Sequence, residues 1–209
     1  LEPERGHTLE AGIRYRTGNS LLGLAVFRNR FKDFIDTRAL LGFDPVEQVL
    51  LFQSINHDRV EIEGGELRAR QNLGYGFDLE MTAEWTRGED RNTDRSLSGI
   101  SPPQAIAALS YAPTPNWGIR FITTATRSQR RLEDDRGEPL FSVPGSTIFD
   151  LTGRWSITPE LDLSLGIFNL TDKHYFNHAN VINRPPNYPT LPLLAQPGIN
   201  VRGTLGWEF

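Results

Sequence analysis

The stretch "GFDLEMTAEWTR", residues 76–87, decides the fold. Phe77, Leu79, Met81, Ala83 and Trp85 alternate with Asp78, Glu80, Thr82, Glu84 and Thr86. A helix of this pattern would scatter charge around its circumference; a strand puts the apolar set on one face and the polar set on the other. The same period of two recurs in "TLEAGIRYR" (8–16), "WGIRFITTAT" (117–126), "TIFDLTGRWS" (147–156), "LDLSLGIFNL" (161–170) and "INVRGTLGWEF" (199–209).

Three further strands are less regular. Residues 104–112 are alanine-rich. Residues 21–35 are apolar on both parities at first. Placing Ala25, Phe27, Asn29 and Phe31 outward sends Arg28, Arg30 and Lys32 inward, and that facing is expected. Residues 58–71 contain "EGGE", where the parity slips at Gly64 and Gly65, and a bulge is expected there. The total is nine antiparallel strands.

The connections alternate in length. "TGNS" (17–20), "NLGYG" (72–76), "APTPN" (112–116) and "ITPE" (157–160) are short turns, whereas 36–57, 88–103, 130–146 and 173–197 read as long loops. Transmembrane β-barrels segregate their connections this way, with short periplasmic turns and long extracellular loops. The modest apolar content (38%) and the net charge of −4 fit that class, because lipid-facing and lumen-facing residues cancel in the average. The last strand then runs inward, with Phe209 at the periplasmic rim and Val201, Leu205 and Trp207 toward lipid.

The inward positions carry both signs, among them Glu10, Arg14, Arg68, Glu80, Arg120 and Arg154. A packed interior would not tolerate them unpaired. A wide lumen, filled by water or a polar plug, would. An odd count of strands with two bare edges is expected to be part of a larger barrel. A soluble β-sandwich, with these charges on a solvated face, is the alternative of another class. A smaller outer-membrane enzyme or autotransporter barrel is a third.

Several classes drop out. No basic stripe tracks a phosphate backbone, so nucleic acid is not an expected partner. The chain has no cysteine, hence no disulfide and no thiolate nucleophile. Phosphate-binding glycine loops, nucleophile elbows and HExxH pairs are missing, so no enzyme is expected. "DRNTD" (90–94) begins like a calcium loop but has Arg95 and Ser101 where glycine and glutamate are required. "EDDRGE" (133–138) reads as a solvated acidic loop, and the "NLT" sequon (169–171) as incidental.

Longer motifs carry a family resemblance. "LEPERGHTLEAGIRY" (1–15), "FRNRFKDFI" (27–35), "VEIEGGELRA" (60–69), "RSLSGISPPQAIAALSY" (95–111), "VPGSTIFDLTGRWSITPELDLSLGIFNLTDKHYFN" (143–177) and "QPGINVRGTLGWEF" (196–209) resemble the C-terminal barrel of TonB-dependent outer-membrane receptors, in particular the haem/haemoglobin receptor group. "NLTDKHY" and the terminal aromatic pattern mark the family at large. The resemblance implies an all-β, antiparallel transmembrane barrel, with residues 1–209 supplying about nine C-terminal strands of 22. The plug domain, TonB box and first strands would precede Leu1. It also implies a bacterial outer-membrane location, haem as the transported ligand, and a haemoprotein, outer-membrane lipid, TonB and the remainder of the receptor barrel as partners. A ferric siderophore or another iron chelate is the alternative cargo.

Candidate ligand-binding residues lie in the extracellular loops. "HYFNH" puts His174 and His178 at the mouth of the longest loop, and His57 stands at the outer rim; histidine is a common haem and metal ligand. A loop histidine without a role is the commoner case. "RPPNYPTLPLL" (184–194) offers Tyr188 to haem or a haemoprotein, with packing against neighbouring loops as the more ordinary use.

Overall fold

The computed structural model describes residues 1–209 other than 48, 98, 131, 135, 136 and 209, with the backbone alone of residue 38. It forms one antiparallel sheet. Its strands are β1 (Arg5–Arg16), β2 (Ser20–Asp44), β3 (Val49–Gly74), β4 (Phe77–Asp90), β5 (Arg95–Ser96), β6 (Gln104–Thr114), β7 (Trp117–Thr126), β8 (Ser146–Thr158), β9 (Leu161–Phe168) and β10 (Asn200–Trp207). Nine follow one another as neighbours in chain order, and the two-residue β5 pairs off that path with β4. The nine expected strands are these nine. β1 and β10 are the two edges and do not join, so the sheet is an open segment of a barrel wall.

Register settles which way each side chain points, because residues directly opposite in an antiparallel pair share a face. One row runs Ala11, Val26, Gly65 and Trp85 across four strands. Another runs Phe77, Tyr111, Ile119, Gly153 and Leu165. This face is apolar along every strand, and among the described residues none covers it: Phe121 is 41% and Leu165 52% exposed. Lipid is the apolar surface that such a face of a transmembrane barrel meets. Aromatic side chains rim its lower edge. Phe77 stacks on Tyr111 with centroids 4.4 Å apart, Tyr111 meets Trp117 edge-on, and Trp117 pairs directly with Trp155. Trp85 marks the upper edge. Phe77 and Trp85 enclose nine residues of β4, about the length of a tilted strand that crosses a bilayer.

The opposite face is polar and concave. A recess of about 1240 Å³ reaches from β1 to β8 and follows one register row: Gly12, Ala25, Glu66, Glu84, Gln104, Thr126 and Ser146. Only the inside of a curved sheet brings seven strands around one space. Below it Arg120 binds Glu80 at 2.6 Å, and Arg70 lies 3.5 Å from Asp78 and 3.7 Å from Glu80. The expected inward charges of β1, β3, β4, β7 and β8 therefore lie on the lumen side.

Two expectations about β2 and β3 within the wall fail. Val26 and Arg28 share the face of Ala11 and Leu9, so Arg28, Arg30 and Lys32 point outward, while Phe27, Asn29 and Phe31 point inward. The expected facing was inverted because the rule that outward means apolar ends at the bilayer boundary, and these residues stand above Trp85. Nor is there a bulge at Gly64 and Gly65, since pairing to both neighbours runs through them without a shift. Their lack of side chains has a steric cause. A Cβ on Gly64 would lie 2.5 Å from Phe27 Cζ, and one on Gly65 2.8 Å from Trp85 Nε1. One dipeptide thus makes room for a ring on each face of the sheet.

The buried apolar clusters lie above the membrane. Leu40, Leu132 and Leu140 form one; Val143, Val181 and Leu191 form the other, with Phe141, Phe176, Tyr188 and Leu194 against it. Residues 36–57, expected as a loop, are mostly strand. β2 and β3 continue their pairing to Asp44 and Val49, with register shifts between Asp36 and Ala39 and between Leu40 and Gly42.

The facing predicts a contrast. Leu165→Arg on the lipid face should destabilise the assembled barrel by about 2–4 kcal/mol. Thr152→Asp beside Arg120 on the lumen face should be tolerated. The heat-modifiable mobility of the full-length protein measures both, and equal losses would invalidate the facing.

Candidate functional site

The extracellular mouth is tied together by the "NLTD" segment, 169–172. Asn169 follows β9 with a left-handed backbone (φ 54°) that asparagine tolerates better than most residues, and it is 2% exposed. Its side chain accepts from the Lys173 N–H at 2.8 Å and donates to the carbonyls of Lys173 and Pro197 at 2.9 and 3.1 Å. Its own N–H donates to Asp150 Oδ1 at 2.7 Å. Three residues on, Asp172 Oδ1 accepts from the Ile199 N–H at 2.9 Å, and a Cβ on the intervening Gly198 would overlap that oxygen. The two ends of the 173–197 segment are thus fastened at the wall.

Between those ends the segment packs on its neighbours. Helix α1 (His178–Val181) is capped by Asn177, whose Oδ1 accepts from the Ala179 N–H, and a 3₁₀ turn spans Leu191–Leu194. Tyr188 lies edge-on to Phe43 with centroids 6.1 Å apart and beneath the Arg184 guanidinium at 4.6 Å. The proline-rich stretch packs here against the β2–β3 hairpin.

The three candidate histidines are not equivalent. His178 is buried at the start of α1 (7% exposed). His57 lies inside β3 with its ring nearly covered: Nδ1 is 3.0 Å from Asp90 Oδ2 and Nε2 4.0 Å from Asp36 Oδ2. Since an ionised Asp90 only accepts, Nδ1 carries the proton in that bond. His174 is exposed and set edge-on against Phe176 at 5.3 Å. Among the described residues no group of three or more His, Cys, Asp or Glu side chains is arranged to hold a metal ion.

Sequence reasoning missed the partners of His57. Asp36 and Asp90 are far apart in the chain, and only the β2–β3–β4 pairing brings them to one place. Around them a cavity of about 190 Å³ is also lined by Arg95, Glu133 and Asp134. Asp134 is 6% exposed, and its Oδ1 accepts from the Glu138 N–H at 2.8 Å, so this acid is enclosed rather than solvated. Residues 135 and 136 of that stretch, like Phe209, lie outside the described residues. "DRNTD" is a turn closed by Asp90 Oδ1, which accepts from the Asn92 and Thr93 N–H groups at 2.8 and 3.4 Å. Burial alone would raise the Asp90 pKa. The hydrogen bonds from Asn92, His57 and Thr93 outweigh it and hold the carboxyl below its usual range.

Comparison with known proteins follows this geometry. The family model "TonB dependent receptor-like, beta-barrel" matches residues 1–170. Hemoglobin-binding protein A of Haemophilus influenzae is 24% identical over 254 residues, with 100% of this chain and 24% of the relative covered. Hemoglobin and hemoglobin-haptoglobin-binding protein A of the same species is 23% identical, covering 100% and 22%. The chain spans about a quarter of the length of these relatives. Among solved structures, the copper transporter OprC superposes with a TM-score of 0.81 at 21% identity, over 100% of this chain and 32% of that one. A mutant ferric enterobactin receptor from Pseudomonas aeruginosa gives 0.74 at 19%, over 99% and 31%. Both share the fold.

Two outcomes are expected. Asn169→Ala leaves the carbonyls and N–H it served without partners at about 1–3 kcal/mol each, and limited proteolysis should then cut within 173–197 where the parent resists. Asp90 binds its proton more weakly folded than unfolded. Its stabilisation is therefore full above the ordinary aspartate range, near pH 3.8, and fades as pH falls through the lower folded value. Asp90→Asn should remove that acid dependence from the protease resistance of the extracellular segments.

The family match over most of the chain and the shared wall architecture have one reading: this chain belongs to the β-barrel family of TonB-dependent outer-membrane receptors, which are receptors and transporters rather than enzymes.

Proposed function

We propose that this chain is the C-terminal wall of a receptor that takes haem from haemoproteins and passes it through the lumen. The observation that carries this reading is that the relatives matched along the whole chain bear haemoglobin-binding names. The inward charges would dock a plug domain, and TonB at the inner membrane would supply the work of moving it. Binding followed by energy-coupled conformational change is the mechanism, with no covalent chemistry. Outside, the β2–β3 hairpin and the 173–197 segment would meet the haemoprotein. Of His57, His174 and His178, His174 would be the one to touch haem; its exposure and its Phe176 neighbour support that reading. His57 and His178 would shape the surface from beneath, and Tyr188 would brace it.

Titration of haem into the purified full-length receptor should shift the Soret band, and haemoglobin should bind at the cell surface of a strain that expresses it. His174→Ala should weaken haem binding about tenfold, while His57→Gln should leave the spectrum of the haem complex unchanged. A receptor that binds a ferric catecholate and gives no Soret shift would instead transport a siderophore.

A further inference from the structure

Above Trp85 the lipid-side face of β1–β4 changes character in three register rows. The first holds Leu9, Arg28, Glu63 and Arg87; the second His7, Arg30, Glu61 and Glu89; the third Arg5, Lys32 and Arg59, with Arg91 joined through its N–H to the Arg59 carbonyl. In a chain of net charge −4 these rows carry seven Lys and Arg against three Glu. Two of the three acids are committed inside the belt. Glu61 takes Arg28 at 2.5 Å, Arg91 at 3.0 Å and Arg30 at 3.3 Å, while Glu89 takes Arg87 and Arg91. Arg5, Lys32 and Arg59 form no ion pair among the described residues, and all three are exposed.

Those three cations are direct cross-strand partners. Like charges so placed repel and weaken the pairing they decorate. The arrangement gains stability when a polyanion neutralises it. Its height says which anion. The third row stands six residues beyond Trp85, roughly 20 Å along the strand and less along the membrane normal once tilt is counted. That is the zone of the head groups and sugars of the outer leaflet. We propose that this belt binds the phosphate groups of the phosphorylated glycolipid that forms the outer leaflet of the bacterial outer membrane. The paired rows near the bilayer hold Arg28, Arg30 and Arg91 in place, and the upper row supplies unpaired charge. Arginine suits the task because its guanidinium meets phosphate with two parallel hydrogen bonds.

The test uses the full-length receptor in detergent, with diphosphoryl lipid A and its dephosphorylated form as probes, read by native mass spectrometry. The phosphorylated lipid should bind at least tenfold more tightly. The variant R5Q/K32Q/R59Q should lose at least fivefold of that affinity, with heat-modifiable mobility confirming that it is assembled. The charge-keeping variant R5K/R59K should retain most of it. Should the triple variant fail to assemble, the comparison of the two lipids on the parent and on R5K/R59K still decides. Equal affinity for the two lipids, or no loss in the assembled triple variant, overturns the proposal. Displacement of the lipid by millimolar inorganic phosphate also overturns it, in favour of a small-anion site. None of these readouts depends on haem.

Discussion

Hydrocarbon offers no partner to a backbone N–H or C=O, so every peptide group of a membrane-crossing strand must be paired by a neighbouring strand. The rest of this structure depends on that requirement. It locks the register from β1 to β10, and register in turn decides which side chains meet lipid and which meet the lumen. The aromatic rim at Tyr111, Trp117 and Trp155 and the inner ladder of Arg70, Glu80 and Arg120 are two consequences of one pairing pattern. It also explains Gly64 and Gly65. Where pairing cannot yield, side chains must, and two rings are accommodated by removing the Cβ atoms beneath them.

The sequence was legible where a single environment lay on each side of a strand. Residues 77–85 cross the bilayer, and their alternation reports lipid against lumen directly; 201–207 keep the same alternation. It misled at residues 21–35, because β2 leaves the bilayer partway along. Above the boundary the outward positions belong to Arg28 and Arg30, and the apolar Phe27 and Phe31 turn inward. The same crossing of environments produced the parity slip at "EGGE" without any bulge. Residues 36–57 looked like loop because Asp36, Pro45 and Asn56 are poor strand formers, whereas pairing of one arm against the other overrides propensity.

The extracellular mouth was the least legible part, for a different reason. Its contacts join residues distant in the chain: Asp90 to His57, Phe43 to Tyr188, Asn169 to Pro197. No local pattern encodes them. Histidines at 57 and 178 look alike in sequence to the one at 174, yet two are enclosed and one is open. "NLTDKHY" was recognisable as a family mark, and the structure supplies its physical content. Asn169 and Asp172 close a long segment at its base, so that its tip can vary while its entry and exit do not.

The length of the β2–β3 hairpin bears on encounter. From Val26, level with the upper rim, to Asp44 the strand runs 18 residues, roughly 60 Å of extended chain before tilt is counted. A small chelate diffusing to the lumen gains little from so tall a projection. A protein too wide to enter a barrel must be caught outside it, and a rail of paired backbone gives an arm that holds its direction without the entropic cost of ordering a free loop at each capture. Such stiffness would suit the large cargo proposed above, and it leaves the tip as the part of the receptor that the outside world meets first.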